Sequence, residues 1–172
     1  MGAKYEDPIL RKLKDLLDEY GPKELRGRWS IGDSLNLSAG SLPRGFISYD
    51  AVEIDNTSNA TIREMSAVVI SVAVDMKKEF NSSVDRSDSH EQVIALIAAR
   101  NEDLSFKNES VVGCLMKHQD LDSSQNLWIN TDGATTEVDY GVGIEKRGPG
   151  IVTAEGLVRI MITHDQLTPS FG

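Results

Sequence analysis

The stretch TIREMSAVVISVAVDM, residues 61–76, decides the fold class. In an extended chain, side chains alternate between two faces. Val68, Ile70, Val72 and Val74 then share one face, while Ala67, Val69, Ser71 and Ala73 share the other. Both sets are small or apolar, which places the strand in the middle of a sheet with both faces covered. A helix can cover one face and a neighbouring subunit the other. Just upstream, FISYDAVEID (46–55) has the composition of a strand and ends at the turn-forming residues of DNTSNA. The two segments, 46–55 and 61–76, are expected to form an antiparallel hairpin.

Two helices flank this hairpin in the sequence. In EDPILRKLKDLLDEYGP, Asp7 is a suitable N-cap and Pro8 a suitable first helical residue. Ile9, Leu10, Leu13, Leu16, Leu17 and Tyr20 fall on one face at helical spacing, and Gly21-Pro22 ends the run. A second helix is expected within NSSVDRSDSHEQVIALIAARNED, opened by a capping box of Asp88 with Glu91 or Ser89 with Gln92. Its buried stripe is Val93, Ile94, Leu96 and Ile97.

Residues 23–44 have no sustained period and are expected to be an irregular loop pinned by Trp29. A loop this long is usually functional or ordered by a partner. Segments 111–117, 127–130, 137–145 and 150–165 are β-like, and the tail 166–172 is expected to fray or make contacts. Runs of strands with segregated helices indicate a single α+β domain over 1–172, with a mixed, mainly antiparallel sheet. An N-terminal amphipathic helix and a second helix are expected to pack on one face of it.

The 172 residues carry 27 acidic and 18 basic side chains, a net charge of −9, and a pI near 4.8. That argues against a sequence-independent DNA binder, which needs clustered Lys and Arg. The acidic excess lies downstream, because seven basic and six acidic residues precede Ser30. No apolar run is long enough to cross a membrane as a helix, and the mixed first thirty positions predict no secretory leader. Cys114 is the only cysteine, so no intrachain disulfide forms. Five N-x-[ST] sequons are read as by-products of a Ser- and Asn-rich chain.

The stretch YGVGIEKRGPGIV (140–152) has glycines spaced as in phosphate-binding loops. However, Pro149 and Gly150 stand where a P-loop needs Lys and Ser or Thr, and a β-like segment follows where a helix is required. It is therefore expected to be a hairpin tip that carries Lys146 and Arg147 outward. Replacing both with Glu should then leave the fold intact. In NTDGATTEVD, aligning Gly133 as the sixth position of a calcium loop makes Trp128 the first ligand, which cannot coordinate the ion. Asp132-Gly133 is a tight turn instead. His90 lacks the second His of a zinc helix. Cys114 and His118, on an expected strand, would lie ~13 Å apart. Asp120 and Asp122 are read as solvated in a loop. No active site, metal or cofactor is expected.

The whole-chain pattern resembles the tail terminator proteins of tailed viruses and, more loosely, other small neck and tail-completion proteins. The matching features are DPILRKLKDLLDEY, LPRGFISYDAVEI, TIREMSAVVISVAV running into SHEQVIALIAAR, and the late segments VVGCLMKHQ and GLVRIMITHDQ. They cover roughly residues 7–165. The resemblance implies a non-enzymatic virion protein of bacteriophage type, made in the host cytoplasm. It implies a homohexameric ring that caps the tail tube, stops its growth and docks it to the head connector. Its partners would be further copies of itself, the tube protein and connector or neck proteins, with DNA passing the lumen without specific binding. A net negative charge suits that passage, and head-to-tail contacts would bury the second face of 68–74. Trp29, Val68, Ile70, Val72, Lys146 and Arg147 are the candidate interface residues. The competing expectations are another neck protein, a small cytosolic enzyme or ligand-binding module, and a dimeric regulatory module.

Overall fold

The structure, a computed structural model, describes residues 2, 4–32, 37–56, 61–76, 87–130 and 135–167. The expected turn at 56–61, the linker at 81–89, the Asp132-Gly133 turn and the tail at 166–172 fall wholly or partly outside them.

Helix α1 (Pro8–Tyr20) forms as its sequence dictates. Asp7 Oδ1 accepts from the Ile9 and Leu10 amides at 2.9 and 3.0 Å, satisfying two donors that the first turn leaves open. The same oxygen accepts from the Tyr49 hydroxyl at 2.8 Å, tying the helix start to the sheet. Burial and that hydrogen bond push the Tyr49 phenol well above its ordinary range. Gly21 ends the helix, since a Cβ there would lie 2.5 Å from the Leu17 carbonyl oxygen.

The strands are β1 (Trp29–Ile31), β2 (Arg44–Asp55), β3 (Thr61–Asp75), β4 (Asp120–Asp122), β5 (Leu127–Ile129), β6 (Glu137–Lys146) and β7 (Val152–Leu167). They form one sheet ordered β1-β2-β3-β7-β5-β4, with β6 also paired to β7. Only β1–β2 is parallel. The 46–55/61–76 hairpin is therefore present as β2–β3. Strand β3 is central as expected: it pairs with β2 from Arg63 to Ala73 and with β7 from Thr61 to Asp75. The chain is an α+β fold with a mixed, mainly antiparallel sheet.

Helices α2 (Ser87–Ala98) and α3 (Val111–Lys117) join α1 in one layer. Val68, Ile70, Val72, Val158 and Ile160 point into that layer and form one core with Leu13, Leu17, Val93, Ile97 and Leu115. Gly156 lets α2 approach β7, because a Cβ would lie 2.8 Å from both Val93 and Ile97.

Four expectations are corrected. Segment 111–117 is a helix, not a strand. Ser110 caps it by accepting from the Gly113 amide at 3.1 Å, and residues 111–115 are buried all round. Such a short apolar run carries no periodicity that separates helix from strand. Segment 23–44 is more ordered than a loop: it holds β1 and short 3-10 turns at Lys23–Leu25 and Ala39–Ser41. Helix α2 already includes Asp88 and Ser89, so it starts upstream of both expected capping boxes. Asp120 and Asp122 bound a strand, and Asp122 accepts from Lys12 Nζ at 2.7 Å, which holds its carboxyl below the usual range.

Candidate interaction surface

All three helices among the described residues lie on one face of the sheet, so the other face is the candidate surface. Register places its side chains in rows. Phe46, Ser71 and Leu157 form one row, Ser48, Val69 and Arg159 the next, and Ala51, Ala67 and Met161 a third. Phe46 is buried, whereas Ser71, Val69, Leu157 and Met161 are half-buried.

One end of this face is closed by the β6–β7 hairpin tip. Gly148 and Gly150 hold φ values of 137° and 70°, the conformations a tight tip requires. The Arg147 amide bonds the Ile151 carbonyl at 3.0 Å, and strand β7 follows, so this segment is a turn, not a phosphate cradle. From the tip Arg147 turns inward. Its Nε donates to Glu155 Oε2 at 2.7 Å and its Nη2 to Oε1, a bidentate pair with side chains 8% and 2% exposed. Thr153 Oγ1 donates to the same carboxylate at 2.5 Å. The guanidinium carbon sits 5.7 Å from the centroid of the Phe46 ring, and the Leu37 amide bonds the Arg147 carbonyl at 2.8 Å.

The rest of the face carries further arginine–carboxylate pairs. Arg159 Nη1 contacts Glu137 at 2.6 Å and Asp139 at 3.3 Å. Arg63 forms a two-point pair with Asp165, whose carboxyl it holds below the usual range. These exposed pairs contribute little stability individually. They do fix a pattern of neutralised charge across the face.

The candidate interface residues are redistributed. Lys146 is exposed, as expected. Arg147 is buried, because Glu155 is a buried carboxylate on β7 whose neighbouring Thr153 supplies a hydrogen bond but no charge, so it needs a counter-charge. Val68, Ile70 and Val72 are fully buried beneath the helices, so in a single copy no partner reaches them. The open side of β3 carries Ala67, Val69 and Ser71 instead. Trp29 is 3% exposed. Its ring occupies the space above Gly45, where a Cβ would lie 2.2 Å from it. The signal missed in the sequence was Glu155, a lone carboxylate between Ala154 and Gly156.

The Cys114–His118 spacing also changes meaning. The pair spans one turn of α3, with the His118 amide on the Cys114 carbonyl at 3.0 Å. The imidazole stacks on Tyr20 at 4.3 Å between centroids. Burial pushes the Cys114 thiol up to about 11. A thiol reagent at pH 8 is expected to leave the native chain unlabelled and to modify it stoichiometrically in urea. Rapid labelling of the folded protein would contradict this burial.

Among the described residues, no three His, Cys, Asp or Glu side chains cluster closely enough to hold a metal ion. No helix there is long and apolar enough to cross a membrane. Neither protein-family models nor curated proteins yield a match to this sequence.

Proposed function

We propose that this chain is a ring-forming structural subunit at the head–tail junction of a tailed virus, the tail terminator that closes the tail tube and docks it to the head connector. The observation that carries this reading is the one-sided fold. All three described helices lie on one face of the sheet, while Val69, Leu157 and Met161 stay half-buried on the other. A neighbouring copy packed head to tail would finish that burial, and repetition of such a contact closes a ring. The net charge of −9 adds support, since an acidic ring lets DNA pass without sticking.

Sizing chromatography with light scattering, on the chain alone and mixed with assembled tail tubes, tests the reading. The expected result is a hexamer-sized species of the 18.9 kDa chain, free or bound to tube ends. A monomer that stays monomeric and ignores the tubes would contradict it.

A further inference from the structure

Among the described residues, three that are not glycine hold a left-handed backbone: Leu104, Asn126 and Asn130, with φ of 70°, 54° and 51°. Asparagine tolerates that region, whereas the Cβ of leucine crowds the following carbonyl. Leu104 is also 70% exposed and stands outside the core. Neither backbone preference nor burial accounts for a leucine at this position.

The surrounding structure nevertheless fixes that conformation. The loop joins α2 to α3 on the helix side of the sheet. Its base is the Arg100–Phe106 bridge, where Phe106 packs against the core and the Arg100 guanidinium lies 4.1 Å from its ring centroid. The Leu104 amide donates to the Asn101 carbonyl at 3.0 Å, closing a turn whose left-handed last residue is normally glycine. The Asn101 amide donates to the Ser105 carbonyl at 2.8 Å, and Arg100 Nη1 to the Leu104 carbonyl at 2.6 Å. Asp103 Oδ1 accepts from the Ser105 amide at 3.0 Å and from its hydroxyl, which holds the Asp103 carboxyl below the usual range. A bulky apolar side chain is thus held out to solvent beside two exposed carboxylates, Glu102 and Asp103. Strain that the surroundings over-determine in this way concentrates at binding sites.

We propose that residues 101–105 form a peg that binds the end of the tail tube, with Leu104 entering an apolar socket of the tube protein and Glu102 and Asp103 facing basic groups at its rim. This rests on the ring reading above and assigns the ring's grip on the tube to one loop. The open sheet face goes to the neighbouring copy, which leaves the helix side to the tube. One peg per subunit presents a circle of identical contacts to identical tube subunits, so avidity makes a single leucine per contact sufficient.

Cosedimentation with assembled tail tubes, alongside thermal melts of the isolated chain, tests this on Leu104→Asn, Leu104→Gly and Glu102→Lys. The two Leu104 variants should melt at or above wild type, because they relieve the backbone and remove no packing. Their tube affinity should nevertheless fall by roughly thirtyfold or more, as for a hot-spot anchor. Glu102→Lys should melt as wild type does and bind more weakly. Leu104 variants that melt well below wild type would show that the side chain serves the chain's own packing, and would overturn the peg. Variants that bind as wild type does would overturn it too, leaving the ring reading intact on another surface. A wild-type chain that ignores the tubes would overturn the ring reading itself, and the peg with it.

Discussion

Replacing Arg147 with methionine should destabilise the fold by about 3–5 kcal/mol, the usual cost of stripping one partner from a buried ion pair. The cause is local. The Glu155 side chain is 2% exposed, and its carboxylate accepts two bonds from Arg147 and one from Thr153. Without the guanidinium, a buried charge is left without its counter-charge, and the hairpin tip loses what draws it onto Phe46. The double variant Arg147→Met/Glu155→Leu should regain most of the loss, because an apolar pair of similar volume often matches or exceeds a buried ion pair. Lys146→Glu/Arg147→Glu, fold-neutral if both residues were exposed, should be at least as damaging as the single change, since it sets two carboxylates together. Urea denaturation of the four proteins measures all of this. An Arg147→Met protein as stable as wild type would show that the pair is not buried.

Trp29→Ala is the second large effect, expected to cost about 3–5 kcal/mol as a buried aromatic truncated in a packed core. The loss should appear in the isolated chain, because the ring fills the space over Gly45 beneath the helix layer. An interface anchor would behave differently: assembly would weaken while the monomer's melting stayed put. Trp29→Phe should recover most of the stability. It keeps the aromatic bulk and removes an indole N–H that has no hydrogen-bond partner among the described residues. Equal melting temperatures for wild type and Trp29→Ala would return Trp29 to the surface.

What the sequence made legible were the elements with strong local signals. The alternation of β3, its pairing with β2, and the cap, stripe and stop of α1 are all periodic or chemical marks within one segment. The Gly148 and Gly150 turn was legible for the same reason. Strand β1 was hidden because three residues carry no period, and its existence depends on pairing with Gly45–Ile47. Helix α3 was hidden because it is short, buried all round over 111–115 and opens on two β-branched valines. Its decisive marks, the Ser110 cap and the lack of room at Gly113 beside the Lys107 carbonyl, are those of packing. The direction of Arg147 was set by Glu155, eight residues away on the next strand. Of the candidate surface, the two-sided character of β3 was legible in sequence, but which side the helices take is decided by the whole sheet.

Tail-tube polymerisation followed by electron microscopy tests the central claim most directly. With this protein added at the start, tubes should stop short of their unregulated length, and each should carry a ring at one end. Tubes that grow to the same length distribution with and without the protein, and show no ring at either end, would contradict the assignment.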